Sequence, residues 1–157
     1  MLPENLKDNA VAAAVEAFDG DALRGGKVQF DELTLEIAAV KIASVCGFLK
    51  YDQNFIRLST VTAVDRYPAE PRFEIVYHLH SIERNLRVRL KAWLAGTDPA
   101  IDSVTGVWRG AGWYEREVFD LFGVRFLNHP DLRRILMPDE WEGHPLRKDY
   151  PITGSRV

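Results

Sequence analysis

The sequence predicts an α+β fold, with a mixed, mostly antiparallel sheet, helices packed on it, and an extended, proline-rich C-terminal segment. A strand and a helix are followed by three closely spaced strands, and short turns between strands favour antiparallel pairing. The third feature comes from residues 124–157, where four prolines interrupt a stretch that is too apolar and aromatic to be disordered.

Size and composition indicate an ordinary globular chain. Its 157 residues correspond to one domain, and 46% apolar with 27% charged residues lies outside the range of disordered proteins. The longest runs without a charged residue are eight residues long, Ile42–Leu49 and Ile75–Ile82, which is too short to span a bilayer. Met1–Asn9 has no signal-peptide pattern, so we expect a protein made and kept in the cytosol.

Charge and cysteine content argue against several functions. A net charge of -3 gives no overall field that attracts nucleic acid or an anionic membrane. The single cysteine excludes an internal disulfide, a four-thiolate iron-sulfur cluster and a cysteine-rich zinc site. Cys46 lies in an apolar run and is predicted to be a buried, inert thiol.

The first half of the chain shows helical and then alternating patterns. Apolar residues at Val11, Val15 and Phe18 predict an amphipathic helix over about residues 4–18. Gly25-Gly26 is predicted to break the chain. Alternating apolar and polar residues then predict a strand over Glu32–Ile37.

Helical spacing returns from Val40, and this second helix closes at Tyr51–Asn54. Three further alternating stretches predict strands at Phe55–Val64, Phe73–Ser81 and Leu86–Trp93. The turns between them are too short for parallel crossovers.

A third helix is predicted to end at Phe122, with Gly123 as its stop. Asp102 or Ser103 is a candidate cap, although nearby glycines weaken the first turns, so the firm part begins near Gly112. We therefore divide the chain into an α+β scaffold domain, residues 1–123, and an extended docking segment, residues 124–157.

Glu115 falls within the apolar arc of the third helix and is predicted to be partly buried. A buried carboxylate needs a cation or several hydrogen bonds. A structural network with arginines, pinning the C-terminal segment to the helix, is favoured over a general acid or base.

Histidines are weak candidates for metal ligands. His129 and His144 each precede proline, and neither has a cysteine or acid at a recognisable ligand spacing. His78 and His80 share one face of a strand, where a polar sheet face is the more ordinary interpretation. Phosphate-binding loops, dinucleotide fingerprints and nucleophile elbows are not found, so catalysis by this chain alone is not expected.

Three stretches of the sequence, together with the spacing between them, resemble those of a known protein family. Trp113–Gly123, His129–Leu136 and Pro145–Pro151 resemble the signature of the 30 kDa-subunit family of NADH-quinone oxidoreductase, respiratory complex I. Similarity extends over about residues 32–151. The positions expected to be structural or to face other subunits are Glu115, Arg116, Glu117, Asp120, Phe122, Gly123, His129, Pro130, Arg133, Arg134, Trp141, Pro145, Leu146, Arg147, Lys148, Asp149, Tyr150 and Pro151.

The resemblance implies a non-catalytic scaffold in the hydrophilic arm of a proton-translocating complex. It implies that this chain binds no cofactor, whereas FMN and Fe-S clusters in partner subunits carry electrons from NADH to quinone. The implied partners are the large quinone-site subunit and neighbouring Fe-S subunits, on the cytoplasmic side of the bacterial inner membrane. Phe126 and Arg133-Arg134 are expected to anchor the docking segment to the domain, and Trp141–Pro151 to reach a partner.

Three other functions stay open at this point. The chain resembles equally the corresponding subunit of ferredoxin-, F420- or hydrogenase-linked complexes. A single-strand RNA-binding module would suit the order of elements, but the exposed aromatic signature is missing and the net charge opposes it. A small enzyme using Glu115, Glu117 and His129 is the last alternative.

Overall fold

The computed structural model describes residues 4–153 and confirms the predicted α+β fold. The helices are α1 (Ala10–Phe18), α2 (Ile42–Tyr51) and α3 (Ala111–Phe122). The strands are β1 (Leu23–Gln29), β2 (Glu32–Ile37), β3 (Arg57–Asp65), β4 (Phe73–Ser81), β5 (Leu86–Leu94), β6 (Ala100–Asp102) and β7 (Arg125–Leu127). None of the helices described is long and apolar enough to cross a membrane.

The main sheet has five strands in the order β1-β2-β5-β4-β3. Every neighbouring pair is antiparallel except β2 and β5, which run parallel across the connection that contains α2. One side of the sheet carries buried apolar residues such as Leu35, Leu90 and Ile75, and these form a single core with the helices. The opposite side is mostly polar and bears no helix among the described residues.

Strand β1 corrects the prediction of a chain break at Gly25-Gly26, because both glycines lie inside the strand. A Cβ atom at Gly26 would lie 2.6 Å from the carbonyl oxygen of Thr34 on the neighbouring strand. Glycine is therefore needed here for close approach between backbones, and it does not end the element.

Helix α1 begins later than the predicted residue 4. The side chain of Asn9 accepts hydrogen bonds from the backbone N–H groups of Val11 and Ala12 at 3.0 and 3.1 Å. Asn9 is thus the N-cap, and residues 4–6 form a separate 3-10 turn.

The candidate cap of α3 was wrong, since neither Asp102 nor Ser103 caps it, but the start predicted near Gly112 is confirmed, because α3 begins at Ala111. Strand β6 occupies residues 100–102 and pairs in parallel with β7. The predicted stop is confirmed, because Gly123 ends α3 in the left-handed conformation with φ 74°. Val124 and Phe126 are buried, so the core continues beyond the boundary that we placed at residue 123.

Candidate functional site

Asp120 is a fully buried carboxylate near the end of α3, and it receives the C-terminal segment. Three consecutive backbone N–H groups, of Ile135, Leu136 and Met137, donate to Oδ2 at 3.0, 2.7 and 2.9 Å. Arg134 Nη1 donates to Oδ1 at 2.7 Å. Burial favours the neutral acid, but these donors outweigh it and hold the pKa of Asp120 below its usual value.

Arg134 also links α3 to a later part of the C-terminal segment. Its Nη2 atom donates to the carbonyl oxygens of Trp141 and Gly143 at 2.9 and 2.8 Å. The guanidinium therefore joins α3 to residues 141–143, and its planar array of donors suits this bridging role.

A second carboxylate, Asp65, lies at the end of β3 and is also buried. Arg72 donates from Nε and Nη2 to its two oxygens, each at 2.8 Å, and binds Asp149 at 2.6 Å with Nη2. The backbone N–H of Lys148 donates to Asp65 at 2.8 Å. The hydrogen bond from Arg72 is the main reason that the pKa of Asp65 lies far below its usual range.

Between its contacts with Asp120 and Asp65, the C-terminal segment contacts the C-terminal end of α3. Leu146 N–H donates to the carbonyl oxygen of Leu121 at 3.0 Å, and Arg147 Nε donates to that of Phe122 at 2.6 Å. A Cβ atom at Gly123 would lie 2.6 Å from the side chains of Arg147 and His144. The C-terminal segment thus satisfies helix-end carbonyls that would otherwise lack partners.

Glu115 was predicted to be partly buried and is fully buried, whereas the prediction of an arginine partner is wrong. It accepts hydrogen bonds from the hydroxyl of Ser103 at 2.6 Å and from the backbone N–H of Val104 at 2.7 Å. His129 Nε2 lies 3.9 Å away and bonds to the carbonyl oxygen of Gly112. Burial favours the protonated acid more strongly than these hydrogen bonds favour the carboxylate, so the pKa of Glu115 is raised to about 7.

Most of the chain matches a known protein family. Residues 35–156 match the family described as respiratory-chain NADH dehydrogenase, 30 Kd subunit. The chain belongs to this 30 kDa-subunit family. The resemblance seen in the sequence is therefore confirmed.

Related sequences are named as one and the same subunit of NADH-quinone oxidoreductase. The relative from Geobacter sulfurreducens is 53% identical over 124 residues, covering 78% of this chain and 76% of the relative. The relative from Azorhizobium caulinodans is 46% identical over 156 residues, covering 98% of this chain and 72% of the relative.

Solved structures share the fold. A trypsin-resistant fragment of Nqo5 has a TM-score of 0.63 at 28% identity and covers 68% of this chain and 88% of that one. A chain of the membrane-bound sulfane sulfur reductase, an archaeal respiratory membrane complex, has a TM-score of 0.77 at 28% identity, with coverages of 90% and 84%.

In this member of the 30 kDa-subunit family, most of the predicted site residues serve the attachment of the C-terminal segment. Arg116 donates to the carbonyl oxygens of Arg133 and Arg134 at 3.1 and 2.9 Å, and Trp141 Nε1 donates to the hydroxyl of Tyr150 at 3.1 Å. The predicted residues that stay exposed are Glu117, Pro130, Arg133, Leu146, Lys148, Asp149 and Pro151. Those that are partly buried are Arg116, Phe122, Gly123, His129, Arg134, Trp141, Pro145, Arg147 and Tyr150.

The predicted site residues did not include Asp65, Arg72 or Ser103, and Ser103 was considered only as a helix cap. A signal for Asp65 was present, because it follows Val61 and Ala63 at a spacing of two and so lies on the buried side of β3. Cys46 is buried, as predicted, and burial raises its pKa. Among residues 4–153, no three histidine, cysteine, aspartate or glutamate side chains come together as metal ligands.

Proposed function

We propose that this chain is a non-catalytic scaffold subunit in the hydrophilic arm of a proton-translocating NADH-quinone oxidoreductase. In this proposal FMN and Fe-S clusters in other subunits carry the electrons from NADH to quinone, and this chain binds no cofactor. It lies on the cytoplasmic side of the bacterial inner membrane and reaches the membrane only through the complex. Family membership and the names of the related sequences support the assignment.

The observation that carries this proposal concerns residues 128–153. They form no helix or strand, and yet they are held against the rest of the domain. Their backbone and charged groups are bound by Asp120, Asp65 and Arg72, while large apolar side chains stay outside. Leu136 and Leu146 are 62% and 52% exposed. A segment fixed in this way presents apolar side chains without a large entropy loss on binding.

The proposed partners of this outer surface are the large quinone-site subunit and the neighbouring Fe-S subunits. The test is incorporation of the Leu146→Asp variant into the complex in the native host. We expect strongly reduced incorporation, because a charge would be placed in an apolar contact. The melting temperature of the isolated chain should stay within a few degrees of wild type, since Leu146 is exposed in it.

Val40→Asp is the matched control, because Val40 is 80% exposed and lies in the short turn before α2, outside the C-terminal segment. If the Leu146→Asp variant is incorporated as fully as this control, the C-terminal segment does not form the proposed interface.

The similarity to the sulfane sulfur reductase favours a second candidate, the equivalent subunit of a related complex with another electron donor or acceptor. Purification of the complex from native membranes separates the two. A co-purifying NADH-binding flavoprotein supports the first candidate, and a ferredoxin-, F420- or hydrogenase-linked partner supports the second.

A further inference from the structure

The side of the main sheet without helices carries a row of three basic side chains. In the register of the sheet, Arg57 on β3 is opposite His80 on β4, and His80 is opposite Arg87 on β5. Opposite residues of neighbouring strands point to the same side and lie about 5 Å apart. We call Arg57, His80 and Arg87 the basic row.

The charges of the two arginines in this row are not neutralised by an ion pair within residues 4–153. Arg57 and Arg87 are exposed and have neither a hydrogen bond nor an ion pair in this part of the chain, and Nε2 of His80 is buried without a hydrogen-bond partner. Of the neighbouring carboxylates, Glu32 forms an ion pair with Arg89 at 2.7 Å, and Glu83 accepts a hydrogen bond from the neutral amide of Asn54. The row is therefore a local positive surface on a chain of net charge -3.

An apolar groove of about 580 Å³ adjoins the row where β3 begins and β4 ends. Its walls include Ile56, Ile82 and Trp113, which are 51%, 56% and 63% exposed. Arg57 also lines this groove and so belongs to both features. Exposed tryptophan and arginine side chains beside one another are typical of the centres of protein interfaces.

We infer that this surface binds an acidic segment of another subunit of the complex. A large apolar side chain of that segment occupies the groove, and carboxylates that follow it bind Arg57 and Arg87. Charge complementarity selects the acidic partner, since an apolar side chain alone would leave the basic row unpaired. This inference rests on the proposed function, because the partner is a subunit of the same complex.

Single-stranded nucleic acid is the competing occupant of a basic sheet surface. Proteins that bind it stack bases on aromatic side chains of the central strands. In the basic row the central strands present His80 and Arg87, and the exposed Trp113 lies on α3, beyond the sheet. The chemistry of the row therefore favours a protein carboxylate.

Zero-length cross-linking in the assembled complex tests the inference. The R57K and R87K variants place a primary amine at each end of the row, and a water-soluble carbodiimide joins an amine to a carboxylate that is in direct contact with it. We expect each variant to give a cross-link to an aspartate or glutamate of another subunit. The R24K variant, on exposed Arg24 of the opposite edge strand β1, is the matched control.

Three results would overturn the inference: no cross-link in the purified complex, cross-links only within this chain, or RNA that co-purifies and is lost in the R57E/R87E variant. Failure of the chain to co-purify with other subunits would overturn the proposed function as well. A complex that assembles but gives no cross-link would overturn the inference alone.

Charge reversal supplies a second, independent measurement. We expect incorporation of the R57E/R87E variant to fall about tenfold, because like charges would then face each other across the contact. Its melting temperature should match wild type, since both side chains are exposed and unpaired in the described chain. Unchanged incorporation would overturn the inference.

Discussion

Arg72 donates two hydrogen bonds of 2.8 Å to the two carboxylate oxygens of Asp65, at the point where the sheet meets the C-terminal segment. The same guanidinium binds Asp149, and Asp65 also accepts from the backbone of Lys148. One buried ion pair thus fixes both the end of β3 and the end of the segment. The fold and the docking segment are therefore coupled in stability.

The Asp65→Asn variant tests this coupling. We expect it to lose about 3 kcal/mol of unfolding free energy at pH 7, because asparagine carries no charge and keeps a single acceptor oxygen, which leaves the nearly buried guanidinium with the half-exposed Asp149 as its one carboxylate partner. Denaturant unfolding measures the loss. The matched control, Asp149→Asn, should cost under about 1 kcal/mol, since that carboxylate is 42% exposed. Equal losses in the two variants would contradict the assigned role of Asp65.

The Asp120→Asn variant should loosen the segment at its other attachment. An amide has a single acceptor oxygen, so it cannot serve three backbone N–H groups and Arg134 together. We expect a loss of about 3 kcal/mol and faster proteolysis between residues 135 and 143. Glu117→Gln, at an exposed position of the same helix, is the control, and identical proteolysis rates in the two variants would count against the attachment.

The raised pKa of Glu115 predicts a specific pH dependence of the free energy of unfolding. Its pKa in the folded chain, about 7, exceeds the ordinary value of 4.5, so the folded state holds a proton that the unfolded state has lost between these values. The contribution of Glu115 to stability is therefore complete below pH 4.5 and is lost as the pH rises through 7. The loss amounts to about 3 kcal/mol at about 1.4 kcal/mol per pKa unit.

The difference between wild type and Glu115→Gln isolates this effect. The lowered pKa values of His78 and His144 make stability rise with pH in the same window, but they contribute equally to both proteins. We expect the free energy of unfolding to shift in favour of the variant by about 2 to 3 kcal/mol between pH 5 and 8. Parallel stability curves would show that Glu115 ionises normally.

Elements with a periodic sequence pattern were predictable, whereas very short strands and the glycine-containing strand β1 were not. Strand β4 was predicted at its observed bounds because nine residues show a clear pattern. Strands β6 and β7 have three residues each, too few for any periodicity. Strand β1 was missed because Gly26 signals a break in sequence, whereas its role depends on the neighbouring Thr34 carbonyl.

The same limit applies to the site. The helical wheel placed Glu115 in the core correctly, but it could not show which partner meets a buried acid. Arginine was predicted for Glu115 and is found at Asp120, where the C-terminal segment folds back over the helix. That return depends on tertiary contacts such as Leu146 with Leu121, which no local pattern encodes.

Side-chain footprinting of Leu136 and Leu146, in the isolated chain and in the purified complex, tests the central claim most directly. The claim is that the domain holds the backbone of the C-terminal segment while the outer side chains contact other subunits. We expect both leucines to react readily in the isolated chain and to be strongly protected in the complex, whereas buried Phe126 stays unreactive in both. Equal reactivity of the two leucines in the isolated chain and in the complex would contradict the claim.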